Sequence, residues 1–206
     1  QHNNNNEIFT TVARFQYSSE AQIVKGRLEA DGISVFLSDN ITIDTDRVKE
    51  LISNDKTVFH KSSYELKSPM SPHAAAEIDG VTIDRLEIHE PQTDNYLVIE
   101  GAGGLLAPLN ETDTVLDIIM PTYQVVVVSR HYLGSINHTL LTLNWLTIKG
   151  YDVSLIFSGN PNPHTESIIL HKTGVSLIGR IEEEETFDKL VIKKYAERFA
   201  PVLKAL

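Results

Sequence analysis

Residues 96–104 read YLVIEGAGG, and residues 124–138 read QVVVVSRHYLGSINH. Each is an apolar run that stops abruptly at a glycine-rich or polar turn. The valine run leaves no polar face, which suits a strand buried on both sides, as in a parallel sheet. Tyr96–Glu100 and Gln124–Ser129 are therefore predicted strands. Beyond the second, Leu140, Leu141, Leu143, Trp145 and Leu146 repeat with helical spacing, so Ser135–Lys149 reads as a helix that Gly150 ends. The alternation continues with a strand over Val153–Phe157, a helix over Pro163–Lys172, a strand over Val175–Ile178 and a closing helix over Glu184–Phe199.

Towards the N-terminus, Thr114–Met120 reads as a short helix, and Ala74–Glu77 opens another. Tyr64–His73 holds two prolines and is largely loop, with an end that can open a helix. Asp46–Ile52 reads as a short helix. Ile8–Ala13, Ser18–Ala30 and Ile33–Leu37 form a strand–helix–strand unit, with Ser18 or Ser19 as the cap and Gly32 as the stop. Gln1–Asn6 reads as a disordered lead-in. The fold class is α/β, a parallel sheet with helices on both faces. Ligands bind such sheets at the carboxyl ends of the strands. Glu100 with its glycines, Ser129–Ser135 and Ser158–Asn160 are therefore expected on one rim.

Composition narrows the function classes. The 206 residues carry a formal charge of −10 and no cysteine. Clustered Lys and Arg, needed for phosphate backbones and anionic lipid surfaces, are missing, so neither nucleic acid nor membrane is an expected partner. Thiolate catalysis, disulfides and cysteine-based zinc sites are excluded. No apolar run approaches the about 18 residues of a transmembrane helix. The expectation is a cytoplasmic domain.

Four stretches carry chemistry. Glu100-Gly101-Ala102-Gly103-Gly104 puts a carboxylate able to hold Mg²⁺ beside glycines whose amides can approach phosphate oxygens. The same glycines would equally serve a tight turn. Leu133-Gly134-Ser135-Ile136-Asn137-His138 opens a helix, with Ser135 as the expected N-cap and free amides suited to a carboxylate. Pro69-Met70-Ser71 lies in a loop stiffened by proline. Asp46 precedes a short helix, where an acid is commonly just a favourable charge, and gains meaning only if it meets Glu100 in space. His60, His73, His138 and His164 read as structural or exposed histidines.

Taken together, DTDRVKEL, YELKSPMSPHAAAEIDG, YLVIEGAGGLLAPL, VVVVSRHYLGSINHTLLT and SLIGRIEE, in this order from Asp44 to the C-terminus, resemble dethiobiotin synthetase. That family is a homodimeric, P-loop NTPase-like α/β fold. It joins CO₂ to 7,8-diaminopelargonate at the expense of ATP and closes a ureido ring, a step in biotin biosynthesis. The resemblance implies Asp46 and Glu100 as Mg²⁺ ligands. It places Gly101, Ala102 and Gly103 along the phosphates and substrate, and Pro69, Met70 and Ser71 beside the diamine. Leu133, Gly134, Ser135, Ile136 and Asn137 would receive the substrate's tail carboxylate across a dimer interface. Ile181, Glu182 and Glu183 would lie near the adenine, with Asn160 or Ser158 facing the base.

The front of the chain departs from that pattern. The family begins with a strand, a Walker A loop ending in Gly-Lys-Thr, and a helix. No G-x-x-x-x-G-K-[ST] pattern occurs in residues 1–206, and Lys25 has no glycine loop to aim it. Residues 7–40 instead resemble a small uncharacterised bacterial domain described as signal-transducing, so the chain reads as a fused or chimeric one. Three segments are expected: residues 1–6, a strand–helix–strand unit over 7–40 that completes the sheet, and a synthetase-like domain over 44–206. The resemblance implies a ligase with weak or lost activity. The alternative is a non-catalytic interaction or signalling protein on the same fold.

Overall fold

The computed structural model describes residues 8–11, 34–37, 48–52, 56–68, 70–94, 96–101 and 103–205, the first two stretches as backbone alone. The predicted helix over 18–30 lies outside them, as do Asp46, Pro69 and Ala102. The strands are β1 (Ile8–Thr11), β2 (Ser34–Leu37), β3 (Phe59–His60), β4 (Leu97–Glu100), β5 (Gln124–Arg130), β6 (Asp152–Ser158) and β7 (Ser176–Ile181). They form one sheet in the order β3-β2-β4-β1-β5-β6-β7. Every pairing is parallel. The helices are α1 (Pro72–Asp79), α2 (Ser135–Ile148), α3 (Pro163–Thr173) and α4 (Lys189–Leu203). Single 3₁₀ turns cover Arg85–Glu87 and Val115–Ile118.

Strand alternation divides the core into two layers. Leu97, Ile99, Val125, Val127, Leu155 and Phe157 face one side, where Leu143 and Leu146 of α2 and Ile169 of α3 cover them. Val98, Val126, Val128 and Ile156 face the other, against Ile192, Tyr195 and Phe199 of α4 and Leu51. The valine run of β5 is thus buried on both faces, as its sequence predicts. The expected helices on both faces are present.

Some boundaries differ from the sequence reading, for local physical reasons. The closing helix starts at Lys189 rather than Glu184. The Asp188 carboxylate accepts hydrogen bonds from the Leu190 and Val191 amides, each 2.9 Å long, and so fixes the first turn. Glu184 is instead drawn to the Tyr195 hydroxyl. β7 runs on to Ile181, past the expected Ile178. Gly179 allows this, because a Cβ there would meet the Phe199 ring at 2.5 Å and hold α4 away from the sheet. At α2 the N-cap is Gly134, with φ 100°, and not Ser135, which sits buried inside the first turn. The expected Ser135 cap is therefore replaced by Gly134, with no side-chain cap hydrogen bond. The two-residue strand β3 was not predicted, being too short to show alternation.

Candidate functional site

The sheet order places β1 between β4 and β5, at the point where chain connections diverge to left and right. Here the carboxyl rim has a step. Thr11 of β1 is level with Glu100 on one side and with Val126 on the other. β5 continues to Arg130, level with Ser158 of β6, which in turn is level with Ile181 of β7. Four further residues at about 3.3 Å each raise β5 roughly 13 Å above the end of β4. A crevice at such a switch point is where open α/β sheets bind ligands.

A cavity of about 70 Å³ occupies this step. Gly104 and Leu105, from the loop after β4, form one wall. Val127–Arg130 form the other, and Tyr132, His138, Thr139 and Thr142 close it from the start of α2. The Ser129 hydroxyl bonds the Thr139 hydroxyl at 2.7 Å in the buried floor, joining β5 to α2. Tyr132 Oη and His138 Nδ1 bond at 2.7 Å at the exposed mouth. None of Tyr132, Thr139 and Thr142 was singled out in the sequence, and His138 was read there as structural or exposed.

The structure locates the described candidates as follows. Glu100 ends β4, partly buried, and Gly101 behind it is buried. Gly103 has φ +81°, a conformation that favours glycine. The turn reading therefore holds at Gly103. Met70 is exposed, and Ser71 precedes Pro72 at the start of α1. His73 donates its backbone N–H to the Pro108 carbonyl at 3.2 Å, which ties this loop to the one that follows Glu100. Leu133 is fully exposed, Ile136 and Asn137 lie on the surface, and Ser135 is buried.

At the far end of the rim the expected base-side residues come together. Ser158, the last residue of β6, is fully buried, whereas Asn160 is exposed. Asn160 Nδ2 donates to Glu183 Oε2 at 2.9 Å. The Gly159 amide donates to the Ile181 carbonyl at 2.8 Å. The Glu182 amide donates to Tyr195 Oη at 2.9 Å, and that hydroxyl donates to Glu184 Oε1 at 2.6 Å. Hydrogen bonds from Lys194 and Tyr195 hold the Glu184 carboxyl below its ordinary range. Burial, followed by the Glu184 carboxylate, pushes the Tyr195 phenol up.

Between these two regions sits a cluster that the sequence did not reveal. Glu166 of α3 accepts from the Asn162 amide at 2.8 Å and from His131 Nε2 at 2.9 Å, both on Oε1. Arg180 of β7 pairs with its Oε2. An ionised carboxylate only accepts, so His131 Nε2 carries the hydrogen. The imidazole stacks on Phe157 with centroids 5.6 Å apart, and the Arg180 guanidinium lies 5.8 Å from the same ring's centroid. Burial pushes the Glu166 carboxyl up, but the bonds from Arg180, Asn162 and His131 outweigh it and leave it below its ordinary value.

Among the described residues no group of three or more His, Asp or Glu is gathered as a metal cage. A Mg²⁺ that arrives with a nucleotide needs only one or two protein carboxylates, because phosphates and water complete its shell. Glu100, at the low side of the step, has the chemistry for one of them.

A family model described as AAA domain matches residues 37–190. The ATP-dependent dethiobiotin synthetase of Christiangramia forsetii is 51% identical over 157 residues, 76% of this chain and 76% of that protein. The enzyme of the same name from Cytophaga hutchinsonii is 42% identical over 156 residues, 74% and 76% of the two chains. Among solved structures, a plasmid partition protein from Borrelia burgdorferi superposes with TM-score 0.58 at 14% identity, covering 97% of this chain and 99% of that one. A ParA family ATPase from Chlorobium tepidum gives 0.53 at 12% identity, covering 98% and 92%. At such identities the structural likeness shows the fold alone, a P-loop NTPase-like α/β sheet.

Proposed function

The chain belongs to the dethiobiotin synthetase family, and from that membership we propose that it keeps the family's ligand cleft while turning over weakly or not at all. The observation that carries this reading is the cavity at the step of the rim. Its walls are the two stretches by which the family is recognised, the glycine turn after β4 and the opening of α2.

In the family reaction one amine of 7,8-diaminopelargonate captures CO₂ as a carbamate. The carbamate oxygen takes the γ-phosphoryl group of ATP. The second amine then attacks the carbamoyl carbon and phosphate leaves, closing the ureido ring. The protein's part is positioning and charge neutralisation. We assign the diamine to the cavity between Gly104–Leu105 and Ser129–Thr142, with Met70 and Ser71 beside it and its tail carboxylate at Leu133–Asn137. Asn160, the exposed one of the two candidates, faces the base, with Ile181–Glu183 beside it. Asp46 and Glu100 are the proposed carboxylates for Mg²⁺, which when bound would neutralise phosphate charge.

The missing element is the phosphate loop, since no Walker A pattern occurs in residues 1–206. Losing even one preorganised donor costs about 100-fold or more in rate, so loss of a whole amide cradle and its lysine argues for little catalysis. The β1 and β2 backbones pair inside the sheet, which supports reading residues 7–40 as sheet-completing material. A homodimer is supported by the outer face of α2, where Leu141, Trp145 and Ile148 are exposed.

Isothermal titration with ATP and Mg²⁺, then with diaminopelargonate, tests the reading on wild type and Glu100→Ala. Diamine binding with weak or no ATP binding supports it. Micromolar ATP binding with family-level turnover overturns the loss of activity, and absence of binding by either ligand overturns the retained cleft.

A further inference from the structure

We propose that Glu166 is a positioning residue that holds the tail loop and the base-side loop in one frame; the assignment of those loops to ligands rests on the function proposed above. Three arms meet on its carboxylate. The first is His131, the residue that leaves β5 and leads directly into Tyr132–Ser135. The second is the Asn162 amide, two residues beyond Asn160 in the loop after β6. The third is Arg180 on β7, next to Ile181.

The geometry gives Glu166 this role rather than one of its neighbours. His131 and Arg180 present N–H groups towards each other at 3.5 Å, and two donors cannot bond. Each is satisfied by a different oxygen of the same carboxylate. His131 Nδ1 is buried with no hydrogen-bond partner among the described residues, so the ring's polar anchor is Glu166. All three side chains are largely buried, at 12–14% exposure, so water does not readily substitute for a lost arm. Phe157 beneath the imidazole and guanidinium keeps both planes in place.

Tyr132 and His138 line the cavity mouth on the tail-loop side, and Asn160 with Glu183 forms the other end of the rim. Glu166 itself touches neither ligand region. It acts through the two loops, and its removal therefore weakens both ligands together.

The test is amide hydrogen exchange on the full chain, for wild type, Glu166→Gln and His131→Ala. In Glu166→Gln, exchange is expected to accelerate by about tenfold or more at both 131–135 and 159–162, with α4 unchanged. In His131→Ala, which cuts one arm, acceleration is expected at 131–135 only. Acceleration at one segment or neither in Glu166→Gln overturns the proposal, as does spread to 159–162 in His131→Ala. Should Glu166→Gln fail to fold, the His131→Ala pattern decides alone. Where wild type binds ligands, the KM or Kd for diamine and nucleotide should both rise about threefold or more in Glu166→Gln, with any kcat within about twofold. A wild type that binds neither sinks the ligand assignment, while the exchange pattern still judges the positioning role.

Discussion

The side chain of Asn160 donates to the Glu183 carboxylate at 2.9 Å, so the loop after β6 and the turn after β7 are fastened at their exposed tips. An amide held this way has one N–H and its carbonyl oxygen left for a ligand, and a planar base needs both in a fixed orientation. Asn160→Ala is expected to weaken nucleotide binding about tenfold, the worth of about one lost hydrogen bond. Glu183→Gln should weaken it less. Because both side chains are exposed, neither variant should move the melting midpoint by more than about 2 °C. Titration calorimetry beside a thermal melt separates the two effects. A loss of stability without a loss of affinity would count against the assignment.

Much of this arrangement was legible in the sequence. The valine run of β5 suits a strand buried on both faces, and the alternation that follows it implies parallel pairing. Parallel pairing alone put Glu100, Arg130 and Ser158 on one rim. The glycine at α2's start was harder. Gly134 and Ser135 both suit an N-cap, and only the fold shows that Ser135 is needed in the packed first turn. The cluster on Glu166 left no local trace, because its partners His131 and Arg180 lie 35 and 14 residues away and meet only through strand register. The step in the rim was equally hidden, since it depends on β1 pairing with the first three residues of β5, Gln124–Val126, rather than with its end.

Tyr195 lies fully buried in α4, with its hydroxyl between the Glu182 amide and the Glu184 carboxylate. Tyr195→Phe keeps the packing and leaves that amide without its partner. The expected cost is about 1–3 kcal/mol, or roughly 2–12 °C in melting midpoint for a chain of this size. The turn over 182–184 should loosen as well, visible as faster amide exchange there and weaker nucleotide binding. An unchanged midpoint would show that water replaces the hydroxyl.

The exposed side of α2 carries Leu141, Trp145 and Ile148 at spacings of four and three, which align them along one helix face. Apolar side chains so aligned are what an interface core uses. Leu141→Glu places a charge on that face, one helical turn from Trp145. The wild type is expected to run as a dimer in light scattering at micromolar concentration, and Leu141→Glu as a monomer with nearly unchanged thermal stability at dilute concentration. A monomeric wild type would remove the dimer, and with it the supply of Leu133–Asn137 across an interface.

The pH dependence of stability offers a last check on Glu166. Its carboxyl sits below the ordinary value of 4.5, because the bonds from Arg180, Asn162 and His131 favour the ionised form more than burial disfavours it. A depressed carboxyl contributes stability that is fully present above its unfolded pKa and is lost as pH falls through the folded one. Wild type should therefore melt above Glu166→Gln at pH 7, by an amount equivalent to about 1–3 kcal/mol. The gap should hold down to about pH 5 and shrink steadily below pH 4.5 as Glu166 takes up a proton and comes to resemble the amide. Melts of both proteins across pH 3–7 measure it directly. A gap that stays constant into acid would mean that the variant loses packing rather than charge, and that Arg180 and His131 are not held by an ionised carboxylate.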